Sequence, residues 1–327
     1  MVAVAVAACD RPGRDAGATP APTTRATSTP QISTTPQPTP VTWHGEPGHV
    51  LDSGDLRLVV LDRGGKVASL VDARSRTEWL AQPEGNTLVD SGYGADFIAS
   101  EMCGWDECAP SVAATTLRGA HIPDHGEVWS VDWTTRTRSD ALVQEVGGHA
   151  LPYTLRRTLT ATDGAIRFTY AVVNEGNEAL PFVWTGHPQF LATAKTMVTL
   201  TGDVAEAIVP GDRTGEPLLR QAGRAGALEG VRRGASHKSW LRLRPGRAEV
   251  VLAHGDRPGR LRFSWDTRAV PYVAIWQDNA QFSREPVVAC ELSNGWYDDL
   301  AAAERRGRCL VVPPGESAAW SFDLRLG

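Results

Sequence analysis

Glu291 follows an apolar, strand-like run, Pro286 to Cys290, and stands just before the turn residues Ser293-Asn294-Gly295. A carboxylate delivered by a buried strand is a poor core residue, because an unpaired buried charge is expensive. It is a good way to hold a general base with a raised pKa. The plainer alternative is a surface glutamate at a strand end. Two histidines upstream favour chemistry: His125 in Asp124-His125-Gly126, and His187 in Trp184-Thr185-Gly186-His187-Pro188. Both lie in turn-rich, aromatic surroundings and could meet Glu291 across a sheet face. One carboxylate and two imidazoles suit reversible proton transfer on a neutral, hydroxyl-rich substrate. There is no Gly-x-Ser-x-Gly nucleophile elbow and no phosphate-cradling glycine loop.

Two further segments carry polar side chains. In Gly104-Trp105-Asp106-Glu107-Cys108-Ala109-Pro110-Ser111 the glycine and proline predict a loop or bulge. Trp105, Asp106 and Glu107 then form a sugar-binding loop whose carboxylates accept from hydroxyls, or simply a solvated acidic turn. His121 and His125 are four residues apart, the spacing of a metal pair on a helix. Pro123 between them argues against a helix, so no metal site is expected. Gly126 suggests a close approach to the backbone. Arg118 is the basic residue near His125 in sequence, too little for a phosphosugar.

These side chains need a scaffold, and its signals are those of strands. Leu56 to Leu61, the turn Asp62-Arg63-Gly64-Gly65 and Lys66 to Val71 predict a hairpin. Tyr153 to Leu159 and Ile166 to Asn174 predict another antiparallel pair, with Ile166, Phe168, Tyr170 and Val172 on one face. Further strands are expected at Trp240–Leu243, Glu249–Ala253, Leu261–Trp265, Tyr272–Trp276, Cys309–Val312 and Ala319–Leu324. One helix is expected, Tyr297 to Arg306, with Asp298 and Asp299 in its first turn, Arg305 and Arg306 in its last, and Gly307 as its stop. Many strands and almost no helix mean an all-β sandwich or barrel.

Composition agrees. Apolar residues make up 42% of the 327, enough for one large core, and the net charge of -5 gives no basic balance that would point to nucleic acid. Eleven tryptophans against seven phenylalanines suit stacking on the C–H face of a pyranose, although most are assigned to the core. The N-terminus differs from the rest. Met1 to Ala8 is small and apolar and leads to Cys9, and a Thr/Pro-rich tract follows. Residues 1–9 look like a truncated lipoprotein signal with Cys9 as lipid anchor, 10–42 like a linker, and 43–327 like the folded domain. That places the protein outside the cytoplasm of a bacterium, lipid-anchored or secreted, or in the cytoplasm if the signal reading fails. No later segment has the length and apolarity of a membrane span. Cys103, Cys108, Cys290 and Cys309 are structural thiols or form one or two disulfides, not metal ligands.

Taken in order, Gly104-Trp105-Asp106-Glu107, Pro123-Asp124-His125-Gly126-Glu127 with Trp133, Trp184 with His187-Pro188, and Glu291 resemble the aldose 1-epimerase, or galactose mutarotase-like, superfamily in its divergent bacterial branch. The resemblance spans roughly residues 45 to 327. It implies a β-supersandwich of antiparallel strands with a concave carbohydrate site, and an isomerase that needs no cofactor. It implies Glu291 as the base that takes the anomeric O1 proton, His187 as the acid that protonates the ring oxygen, and His125 as a second histidine near that oxygen. Trp276 resembles a site-lining position on a late strand. Leu292 stands where the family often has proline, and Gly186-His187-Pro188-Gln189 replaces the family's Asn-His-Thr-Tyr. The implied partner is a monosaccharide or oligosaccharide. The rival reading is a non-catalytic carbohydrate-binding surface lipoprotein on the same fold.

Overall fold

A computed structural model describes residues 37–327, apart from 90, 101, 163, 210–215 and 297. Cys9 and the region before it, with most of the Thr/Pro-rich tract, lie outside the described residues. Two large antiparallel sheets face each other. One has eleven strands and the other nine. The expected hairpin is present as Leu56–Leu61 and Val67–Asp72. The pair Tyr153–Thr162 and Ala165–Asn174 runs in continuous register, with Leu155 opposite Val172 and Leu159 opposite Phe168. Ile166, Phe168, Tyr170 and Val172 are all buried, as period-two alternation requires of one face.

Five strands of the larger sheet carry the candidate site: β1 (Trp105–Cys108), β2 (Thr185–Pro188), β3 (Ser236–Leu243), β4 (Tyr272–Asp278) and β5 (Val287–Ser293). In the sheet they lie in the order β1-β2-β5-β4-β3. Their alternate residues divide the labour. Cys290, Leu292, Val273 and Ile275 face the core between the sheets, while Glu291, His187, Trp276 and Lys238 face away from it. β1, β2, β4 and β5 are buried on both faces. Loops cover the outer face and close a cavity over it.

The segment Gly104–Ser111 is not a sugar-binding loop. Its centre is β1, whose alternation sends Trp105 and Glu107 into the core. Trp105 stacks on Phe168 of the opposite sheet at 5.1 Å between centroids and on Phe322 at 5.8 Å. Glu107 is completely buried and accepts from Arg157 Nη1 (2.7 Å), Tyr170 Oη (2.8 Å) and Trp184 Nε1 (2.6 Å). Burial raises the Glu107 pKa, and Arg157 and the two aromatic donors oppose that rise. Arg157 also donates to Gly65 O and Gln144 Oε1. Ten of the eleven tryptophans are buried, Trp43 being the exception.

The helix is shorter than expected, Leu300–Arg305, because Asp299 is its N-cap and accepts from Ala302 N at 2.8 Å. Asp298 therefore lies ahead of the helix, where its side chain is free to face the outer side of the sheet. Cys108, Cys290 and Cys309 are free thiols. Burial, with Glu291 next in sequence, pushes the Cys290 thiol up to about 12. No helix among the described residues is long and apolar enough to cross a membrane.

Removing one partner of a fully buried ion pair leaves the other charge uncompensated. Arg157→Leu should therefore lower stability by about 3–5 kcal/mol in urea denaturation. Adding Glu107→Leu should recover part of that loss, whereas a surface or ligand-binding role for Glu107 predicts no recovery.

Candidate active site

The register of three strands builds the floor. Thr185 of β2 is opposite both Ser293 of β5 and Cys108 of β1, and His187 is opposite Asp106. Counting two residues back along β5 from Ser293 puts Glu291 beside His187 on the same face. Their nearest atoms, His187 Nε2 and Glu291 Oε1, are 3.8 Å apart. Glu291 is thus inside β5 rather than at its end. The Ser-Asn-Gly turn that follows locks this register. Asn294 Oδ1 accepts from Trp184 N at 2.7 Å, and Thr185 Oγ1 donates to Ser293 Oγ at 2.9 Å. A Cβ on Gly295 would meet Val183 Cγ2 at 2.4 Å, so no side chain fits there.

His125 enters from a turn. Its φ of 59° and the 79° of Gly126 bend the backbone sharply, and Gly126 packs so closely on Ala109 that a Cβ would lie 2.2 Å from Ala109 O. His125 Nδ1 pairs with Asp124 Oδ2 at 2.8 Å. Its ring stacks on Phe97 with centroids 3.6 Å apart and stands edge-on to His187 at 5.5 Å. His121, by contrast, is exposed on a separate hairpin, Thr115–Leu117 with Ala120–Ile122, so the two histidines do not converge. Trp276 flanks His187 at 5.3 Å. Glu291, His187, His125 and Trp276 all line one cavity of about 240 Å³, close to the lower limit of small-molecule sites.

Lys238 completes the site, and strand patterning does not reveal it. It comes from β3, opposite Trp276. Its Nζ lies 2.7 Å from Glu291 Oε2 and 2.7 Å from Asp298 Oδ1. The ammonium thus pairs with Glu291 Oε2, while Oε1 faces His187. Asp298 is held from behind, where its backbone oxygen accepts from Val112 N and Ala113 N, both at 2.8 Å. Among the described residues, the lysine that lines this cavity is Lys238. Arg118 instead pairs with Glu178 and Glu304 in an exposed network.

Asp106, opposite His187 in register, has its carboxylate taken by Lys66 at 2.8 and 2.9 Å. It lines a small adjoining recess with Arg63 and Trp129, not the cavity that holds Glu291. Trp105 and Glu107 point the other way, into the core. Of the residues expected to bind substrate, the structure brings His125 and Trp276 to the cavity and leaves Trp105, Asp106 and Glu107 out of it. No group of three or more histidine, cysteine, aspartate or glutamate side chains among the described residues is arranged to hold a metal.

Burial dominates the electrostatics. It raises the Glu291 pKa, with Asp298 adding to the rise and Lys238 opposing it. It drives the His187 pKa well below the usual imidazole value, aided by the positive charges of His125, Lys238 and Lys66. Burial also works against the Lys238 ammonium, but Asp298 and Glu291 outweigh it and its pKa is raised. The glutamate moves up and the histidine down, so burial favours the neutral form of each, and Lys238 opposes that for the carboxyl.

No protein-family model matches the chain, and no curated protein matches it. Solved structures do. A galactose mutarotase related enzyme from Lactobacillus acidophilus superposes with a TM-score of 0.66 at 15% identity, over 86% of this chain and 97% of the other. A candidate aldose 1-epimerase from Escherichia coli K12 gives 0.65 at 16% identity, over 85% and 98%. A galactose mutarotase-like protein from Clostridium acetobutylicum gives 0.64 at 14% identity, over 88% and 97%. The chain therefore has the galactose mutarotase-like fold, a β-supersandwich, as the sequence motifs implied. At these identities the likeness establishes the fold, and the site geometry must carry the function.

Lys238→Met removes the cation between two buried carboxylates. Glu291 then loses the charge that lowers its pKa, so its folded-state pKa rises further. A carboxyl with a raised folded-state pKa stabilises the fold at low pH and loses that contribution as pH climbs. The melting temperature of Lys238→Met should therefore fall furthest below wild type at pH 8 and approach it near pH 5. A constant deficit across that range would show that Lys238 does not neutralise Glu291.

Proposed function

We propose that the protein is a cofactor-independent isomerase of the aldose 1-epimerase type, interconverting the anomers of a free aldose. The observation that carries this reading is the 3.8 Å approach of Glu291 and His187 across one step of the strand ladder, on the floor of a small cavity. The anomeric hydroxyl and the ring oxygen of an aldose sit on the same carbon. A base for one and an acid for the other must therefore converge to within a few ångströms.

In this mechanism Glu291 takes the O1 proton. The electrons of that O–H bond form the C1=O1 double bond, the C1–O5 bond breaks, and O5 takes a proton from His187. The site passes from Glu⁻/HisH⁺ to GluH/His, the direction in which both pKa shifts push. Rotation about C1–C2 presents the other carbonyl face. Return of both protons then closes the ring to the second anomer. His125, stacked on Phe97 and edge-on to His187, supports the imidazole on the ring-oxygen side. Lys238 holds Glu291 in place and favours its ionised form.

The names of the structural neighbours, a mutarotase related enzyme and a candidate aldose 1-epimerase, support a sugar substrate of this kind. As part of the same proposal, a lipidated Cys9 would tether the site outside the cytoplasm. Cys9→Ala should then release the protein from the membrane fraction of a bacterial host.

The test is NMR exchange at the anomeric proton of D-glucose and D-galactose. Wild type should speed exchange. Glu291→Gln and His187→Asn should each lose about 10²–10⁴-fold. The rate should fall on acidification as Glu291 protonates, above the ordinary carboxylate range because burial raises its pKa. Sugar binding with no exchange in wild type would instead assign the site to carbohydrate binding alone.

A further inference from the structure

The cavity is polar at one pole and hydrocarbon over the rest. At the polar pole, Lys238 is committed to Glu291 and Asp298, and His125 to Asp124. Beyond it the wall is Phe97, Ile98, Met102, Val112, Ala113 and Phe282. The backbone there is largely committed too. Val112 N and Ala113 N donate to Asp298 O, Val112 O accepts from His125 N, and Ala113 O accepts from Ser111 Oγ. Ile98 and Phe282, at 51% and 40% exposure, are among the few large apolar side chains on the surface of the described residues. Hydroxyls turned toward these described side chains would find no hydrogen-bonding group on them.

The orientation of the sugar, which rests on the proposed function, says which substituent meets this wall. With O1 at Glu291 and the ring oxygen at His187, the C5 substituent lies just beyond the ring oxygen, alongside His187. The His187 ring is flanked by Phe97 at 5.6 Å and Trp276 at 5.3 Å, and Met102 packs against the buried cluster that contains Trp276. A methyl group suits these neighbours, and Phe97 and Met102 offer the oxygen of a hydroxymethyl group no hydrogen-bond donor or acceptor of the strength of water. We infer that the substrate is a 6-deoxyaldose, its C5 methyl held against Phe97, Met102 and Trp276.

The experiment compares matched pairs of either hand, D-fucose with D-galactose and L-rhamnose with L-mannose, by anomeric exchange on the full chain. In at least one pair kcat/KM should favour the deoxy sugar by about ten- to a hundredfold. Met102→Gln, which offers an amide to the missing hydroxyl, should shrink that preference in a partly exposed position that tolerates the change. Exchange with no preference, or with preference for the hydroxylated sugars, overturns this inference and leaves anomer exchange standing. If no sugar is exchanged, the same pairs are compared by quenching of tryptophan fluorescence. Tighter binding of the deoxy partner then supports the inference while the reaction falls, and equal, reversed or absent binding overturns it.

Discussion

A full carboxylate stands at the centre of the sandwich, and much of the architecture answers to it. Glu107 has no contact with solvent, so its charge must be met inside the protein. Arg157 meets it from the opposite sheet, and Tyr170 and Trp184 complete its coordination. These contacts join both sheets, and tie β1 to the segment just ahead of β2, at a single point. They also settle which way β1 faces. Once Glu107 points inward, Trp105 must do so as well, and Asp106 must point outward.

That choice propagates to the site. Asp106 lies opposite His187, so fixing the outward face of β1 fixes the outward face of β2. Pairing of Thr185 with Ser293 carries the same parity to β5, and Glu291 follows. A one-residue slip at either pairing would send Glu291 or His187 into the core. Several contacts resist such a slip: the Asn294–Trp184 hydrogen bond, the Thr185–Ser293 hydroxyl pair, and the tight fit of Gly295 on Val183. The turn after β5 is therefore part of the chemical site although none of its side chains faces the cavity.

The sequence made the strands legible because apolar alternation is a local signal. It also brought Glu291, His187 and His125 together, since each stands out as a titratable group in an apolar or turn-rich setting. It failed where both faces of a strand are buried. In Trp105-Asp106-Glu107-Cys108 every residue is buried, so polarity no longer marks the outside, and an inward glutamate looks like a solvated one. Lys238 was missed for a related reason. Its strand begins Ser236-His237-Lys238-Ser239, without alternation, and its partners lie 53 and 60 residues further along the chain. Asp298 was misplaced because an acid just before a helix fits equally well in the first turn. Only Asp299, by capping Ala302, shows where the helix starts.

The missed lysine changes how the site works. A glutamate buried beside a histidine alone would stay protonated or draw the histidine into a fixed ion pair, and neither state exchanges protons easily. Lys238 supplies a positive charge that burial would otherwise remove, and Asp298 keeps that charge in place. The ammonium touches Glu291 Oε2 while Oε1 faces His187, so one oxygen is neutralised and the other is left toward the imidazole. The same ammonium lowers the proton affinity of His187. A single buried cation thus acts on both members of the pair, and its shielding from solvent keeps that action strong.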